Sequence, residues 1–248
     1  MLILLISGAF FPMLIYLYFL WKFDKNEPKY IKLVFYNFIY GATAAIILGI
    51  VGSKMLSLPL NIFFSDETIN LIKIILIAPF VEEIAKALFL FKAIKNKNIN
   101  DFTDGLIYGG AIGLGFGMIE YFFYFLLFSD SLSQLISIFV IKSSFSVVMH
   151  CLSTALVGGI ISLTKYSSQI KLGISTIYAL IIAMFIHFIW NISVIFKNTF
   201  FVGIIFIIIV FLLFTLTYYI LFKYENNLIQ KELAGKTSEN SLNKYSAK

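Results

Sequence analysis

The sequence predicts an all-α fold, a polytopic membrane bundle of about seven transmembrane helices, and three observations carry that expectation. Of 248 residues, 60% are hydrophobic, 18% aromatic and 13% charged. A soluble domain of this length has too little core to hide so much apolar side chain. The apolar residues come in repeated blocks of roughly 20, the length needed to cross a bilayer. The charges are unevenly placed: the basic residues, all lysine, lie mostly between the blocks. Their excess, 19 basic against 13 acidic residues, does not suggest nucleic acid. Bidentate phosphate and base recognition leans on arginine, and this chain has none. The single Cys151 excludes an internal disulfide and a cysteine metal cluster.

Seven blocks read as spans, about 2–21, 32–52, 69–92, 105–128, 135–163, 172–196 and 199–222. The first, MLILLISGAFFPMLIYLYFLW, lacks a basic leader and is long enough to span, so it is expected to be a helix rather than a cleaved signal. The third contains Pro79, which removes a backbone donor and can kink the helix. The fourth has Gly105, Gly109, Gly113 and Gly117 at every fourth position, a ridge that lets another helix approach closely. Asp101, Thr103 and Asp104 before it look like N-terminal caps. The fifth is too long for one straight span: either it tilts, or residues 132–142 form a separate interfacial piece.

Lys22, Lys25, Lys29 and Lys32 cluster at the first connection, Lys92, Lys95 and Lys97 at the third, and Lys165 and Lys171 at the fifth. Even-numbered connections show only Lys54 and Lys197, while Lys142 sits inside an apolar run. Positive charge marks the cytoplasmic side, so the N-terminus is expected outside and the C-terminus inside. Residues 1–223 then form the bundle. The polar, mixed-charge segment 224–248 reads as a flexible cytoplasmic tail.

Lys73 and Lys142 aside, few ionisable residues lie deep in the spans: Glu82, Glu83 and Lys86 in the third, Glu120 in the fourth, His150 in the fifth and His187 in the sixth. Each charge at the bilayer centre costs about 2.5–3.5 kcal/mol on insertion scales, so something must use or neutralise it. At ~1.5 Å per residue from each cytoplasmic end, Glu82 and Glu83 lie ~14–16 Å deep, and Glu120, His150 and His187 ~20–23 Å deep. Agreement across four helices argues for one buried polar site slightly outward of the midplane. Glu82 and Lys86, spaced i,i+4, are the natural intrahelical ion pair, which leaves Glu83 free as a base. Asn191 lies one turn from His187 on the same face.

Buried Glu and His suit peptide hydrolysis, in which a carboxylate deprotonates water while His or Asn stabilises the oxyanion. They equally suit a zinc site assembled from separate helices, since there is no HExxH; Glu120, His150 and His187 are its candidate ligands. Neither histidine has an identifiable carboxylate of its own to fix its tautomer, which counts against zinc. A transporter or a proton or cation relay uses the same residue types.

Several motifs resemble those of the PrsW family of bacterial membrane-embedded proteases. They are EExxK as Glu82-Glu83-Ile84-Ala85-Lys86, FxxxE as Phe116 to Glu120, His150, and HxxxN as His187 to Asn191. The likeness runs through the third to sixth spans, roughly residues 75–195 of a protease core at about 69–196, with a more distant similarity to prenyl-protein endopeptidases and to Abi-type proteins, some of them non-catalytic immunity proteins. The resemblance implies a multi-pass protein of the bacterial plasma membrane that cleaves a single-pass membrane protein, an anti-sigma factor in an envelope-stress response. It implies Glu82, Glu83, Glu120, His150 and His187 as catalytic residues, Lys86 and Asn191 as supporting or oxyanion residues, and either Zn²⁺ or a metal-free glutamate mechanism.

Overall fold

The structure is a computed structural model that describes residues 2–22, 31–94, 101–128, 131–220 and 223. The expected tail, 224–248, and the lysines at 25, 29, 95 and 97 lie outside them. Every regular element among the described residues is helical. In chain order these are α1 (Leu2–Trp21), α2 (Ile31–Tyr40), α3 (Ile46–Ser57), α4 (Asp66–Ile72), α5 (Ala78–Ile94), α6 (Phe102–Phe128), α7 (Leu132–Ile141), α8 (Val147–Thr164) and α9 (Gln169–Ile195). The last is α10 (Phe200–Ile220). Wide π-helical turns at Gly41–Ala45, Lys73–Ile77 and Lys142–Ser146 join α2 to α3, α4 to α5 and α7 to α8.

Among the described residues, five helices are long and apolar enough to cross a membrane: Ile31–Ile62, Phe102–Leu127, Ile136–Thr164, Gln169–Ile195 and Phe200–Ile220. The expected third span is helical from Asp66 to Ile94, but Lys73, Glu82, Glu83, Lys86 and Lys92 lower its hydropathy. The over-long fifth segment is one helix throughout, and its π turn begins at Lys142. An inserted residue in a turn rotates the helix beyond it and re-aims its side chains, and such turns gather at functional sites.

The described residues fall into two compact units that divide after Ile207, within α10. In the first unit α6 is the central element, with every side chain from Phe102 to Met118 buried. Its start is a reciprocal cap: Asp104 N–H donates to Asp101 Oδ1 at 2.7 Å, and Asp101 N–H to Asp104 Oδ2 at 3.3 Å. The glycine ridge faces α8. A Cβ on Gly105, Gly109 or Gly113 would overlap the carbonyl of Gly158, Thr154 or His150, and one on Gly117 would lie 3.1 Å from the Val147 Cα. Only glycine allows this separation. On the other side, a Cβ on Gly41 would overlap the Ile112 carbonyl, and one on Gly115 the Phe38 carbonyl. Large apolar side chains such as Phe11, Tyr36, Met55, Leu76, Ile177 and Phe201 point outward, the arrangement lipid requires.

Candidate functional site

The first turns of α5 place Glu82 and Glu83 on different sides, because successive residues of a helix diverge by about 100°. Glu83 turns inward and is buried, as is Lys86, whose Nζ lies 2.6 Å from Glu83 Oε1. This corrects the expected pairing of Lys86 with Glu82. Glu82 instead faces α3, where a Cβ on Gly49 would stand 3.2 Å from its Cγ. Glu83, expected to be the free base, is the more heavily neutralised carboxylate. Its Oε1 also lies 2.9 Å from His187 Nδ1, and its Oε2 accepts from Ser153 Oγ at 3.3 Å.

A second node joins α6, the Lys142 turn and α8. Glu120 Oε2 lies 2.5 Å from His150 Nε2, and Glu120 Oε1 accepts from Lys142 Nζ at 3.1 Å. Lys142 Nζ also rests 3.4 Å from the centroid of the Tyr124 ring. His150 Nδ1 lies 3.2 Å from Lys86 Nζ, which links the two nodes. An ammonium has only hydrogens to give, so His150 Nδ1 accepts from Lys86 and its Nε2–H donates to Glu120. By the same reasoning His187 donates from Nδ1 to Glu83, which leaves a lone pair on Nε2.

Each imidazole therefore has a carboxylate companion, Glu120 for His150 and Glu83 for His187, contrary to the sequence expectation. The partners lie on other helices, so spacing along one helix could not reveal them. The rings meet edge to face with centroids 4.8 Å apart. Glu82, His150 and His187 each offer a ligand atom within 4.8 Å of the others, so Glu82 stands where Glu120 was expected in the candidate metal set. Two imidazoles and a carboxylate are the donors of a catalytic zinc site, and the Glu83–His187 bond is the support zinc-bound imidazole usually has. His187 Nε2 and Glu82 Oε2 stand 3.9 Å apart. Both are acceptors when the imidazole is neutral and the carboxylate ionised, so whatever joins them has to donate protons or carry positive charge. Glu82 and His187 fit a cation, and His150 could join them only by giving up the Lys86 ammonium at Nδ1.

Asn191 does something the sequence did not suggest. Its Nδ2 donates to the Ile74 carbonyl at 2.8 Å. In the π turn the Ala78 N–H bonds Lys73 O, five residues back. The same register would give Ile74 O to residue 79, which is proline and has no N–H. Asn191 supplies the missing donor and ties α9 to the start of α5; one amide hydrogen remains for another acceptor. A cavity of about 240 Å³ opens here, bordered by Ser53, Lys73, Glu82, Glu120, His187 and Asn191 among others. Ser153 and Lys142 were not singled out as site residues. A lysine within an apolar run, with no acid on its own helix, was the available signal for Lys142.

The family model described as PrsW family intramembrane metalloprotease matches residues 29–217. A protein named Protease PrsW, from Clostridioides difficile (strain 630), is 27% identical over 164 residues, which are 65% of this chain and 66% of that protein. The match thus spans slightly under two thirds of the relative's length. No solved structure matches the chain. The matched residues include all the helices that carry the clustered side chains, α5, α6, α8 and α9. The chain belongs to the PrsW family of intramembrane metalloproteases.

Proposed function

We propose that this protein is an intramembrane endopeptidase that cleaves a single-pass membrane protein in a bacterial cell membrane, and that the substrate is an anti-sigma factor, as the family resemblance implies. In this reading the chain crosses the membrane seven times, with its N-terminus outside and a cytoplasmic tail at 224–248. The observation that carries the proposal is the gap between His187 Nε2 and Glu82 Oε2, 3.9 Å wide and on the wall of the cavity. A water there gives one hydrogen to each acceptor and keeps its oxygen lone pairs for a substrate carbonyl. Glu82 is the carboxylate assigned to take the water's proton: Lys86 is paired with Glu83 and Lys142 with Glu120. The proton passes to the leaving amine as the peptide bond breaks.

The other residues hold this arrangement. Glu83 fixes the His187 tautomer, Lys86 balances Glu83, and Lys142 with Glu120 orients His150. Zn²⁺ is the ion this donor set suits: Glu82 and His187 Nε2 would hold it, with His150 Nδ1 as a third ligand once Lys86 moves off that nitrogen; the ion would polarise the scissile carbonyl and make water more acidic, and Glu82, then a ligand, would no longer be the base. The test uses purified wild type and Glu82→Gln with single-pass substrates, with and without a chelator. Shortened product from wild type alone is expected. Equal turnover by Glu82→Gln would refute the assignment.

A further inference from the structure

Many serine and threonine hydroxyls in the helices turn back on their own backbone. Ser57 donates to Lys54 O, Ser143 to Phe139 O, Thr154 to His150 O, Thr176 to Leu172 O and Ser193 to Trp190 O. That habit satisfies a polar group where no water is present. Ser53 breaks it. It is 4% exposed, and its Oγ has no hydrogen-bond partner among the described residues. Ser162 also lacks one, but its Oγ packs at the α6–α8 contact against Gly105. Ser53 instead lines the cavity that holds Glu82, Glu120 and His187.

A peptide can be cut inside a membrane only once its helix is opened, which leaves its backbone N–H and C=O groups in need of partners. From this we infer that Ser53 is a substrate-contacting residue whose hydroxyl donates to a main-chain carbonyl of the opened substrate; the inference rests on the peptidase reading of the cavity. Gly49, four residues earlier in α3, lies against Glu82. Four residues of helix advance ~6 Å. An extended chain covers that distance in about two residues. The carbonyl bound by Ser53 therefore lies about two residues from the scissile bond. Neither Ser53 nor any part of α3 belongs to the motifs that mark the site in sequence.

The probe is a quenched-fluorescent peptide library with a Leu/Ala-rich span and a randomised outward juxtamembrane segment, from which the most rapidly cut member is taken. Ser53→Ala should lose about tenfold in kcat/KM, the equivalent of one hydrogen bond, without loss of stability because the hydroxyl it removes is unpaired. Replacing the substrate carbonyl two residues from the scissile bond by a thiocarbonyl, a weaker acceptor, should slow wild type and leave Ser53→Ala unchanged. Equal kcat/KM in wild type and Ser53→Ala overturns the inference alone. Additive losses from the two changes, or marked destabilisation by Ser53→Ala, also overturn it. If wild type cuts no member of the library, the peptidase reading falls and the Ser53 assignment falls with it.

Discussion

Lys86→Met is the sharpest perturbation of the cluster, because it keeps the aliphatic stem and removes only the ammonium. Two hydrogen bonds go with it, 2.6 Å to Glu83 Oε1 and 3.2 Å to His150 Nδ1, and a cation–π contact 5.0 Å from the centroid of the Phe116 ring. Glu83 keeps His187 and Ser153 but loses its one direct cation in a nearly inaccessible site. Removing one partner of a buried ion pair costs about 3–5 kcal/mol, most of it from the charge left behind. Glu83→Gln removes that charge, so the double variant should be less destabilised than the sum of the two singles, by roughly 2 kcal/mol. Glu82→Gln with Lys86→Met should show a clearly smaller coupling, since the direct ion pair of Lys86 is with Glu83. Reversible unfolding by SDS in mixed micelles measures the five variants against wild type. Coupling of Lys86 to Glu82 rather than to Glu83, or a Lys86→Met cost below about 1 kcal/mol, would refute the pairing.

Gly113→Ala forces a methyl group against the His150 carbonyl and should destabilise by about 1–3 kcal/mol in the same assay. Gly173→Ala, in α9 with nothing within 4 Å of the added carbon, should stabilise by about 0.5–1 kcal/mol. Elemental analysis of pure, active protein should find near-stoichiometric zinc, and His150→Ala and His187→Ala should each lose both metal and activity; full activity in metal-free protein would remove the zinc version. Reporter fusions at Lys97 and Lys248 should report cytoplasm, and fusions near Ser129 and Asn198 the exterior; the opposite signals would reverse the orientation.

Much of the fold was legible because lipid imposes a simple rule. Apolar blocks become helices, and the few charges within them must find each other. That rule drew Glu82, Glu83, Glu120, His150 and His187 toward one site before any geometry was known. It could not assign partners. Whether Lys86 meets Glu82 or Glu83 depends on which side of α5 faces α8 and which faces α3, and spacing along α5 allows both. Lys142 and Asn191 were obscured by the π turns. The turn at Lys142–Ser146 alters how Lys142 projects relative to His150, and the one at Lys73–Ile77 creates the unpaired carbonyl that occupies Asn191. The count of spans was hardest to read at Asp66–Ile94, since the residues that make that helix chemically useful also make it look less like a membrane helix.

The glycine seams of α6 have a mechanical consequence. Where two helices touch through side chains, rotamer changes can absorb a displacement. Where they touch backbone to backbone, there is nothing soft between them. α6 is held in this way by α8 on one side and by the Gly41 turn and α2 on the other, so the wall bearing Glu120 and His150 is the stiff part of the molecule. The opposite wall is more compliant: α3 meets α5 through Gly49 and Gly52 against the side chains of Glu82 and Val81, and one Asn191 hydrogen bond ties α9 to the turn before α5. Under the proposed peptidase reading, a substrate helix wider than the cavity would enter by displacing α3 or α9 and not α6. In that reading Glu120 and His150 would keep their places, and the side that carries Ser53 would be the one that yields.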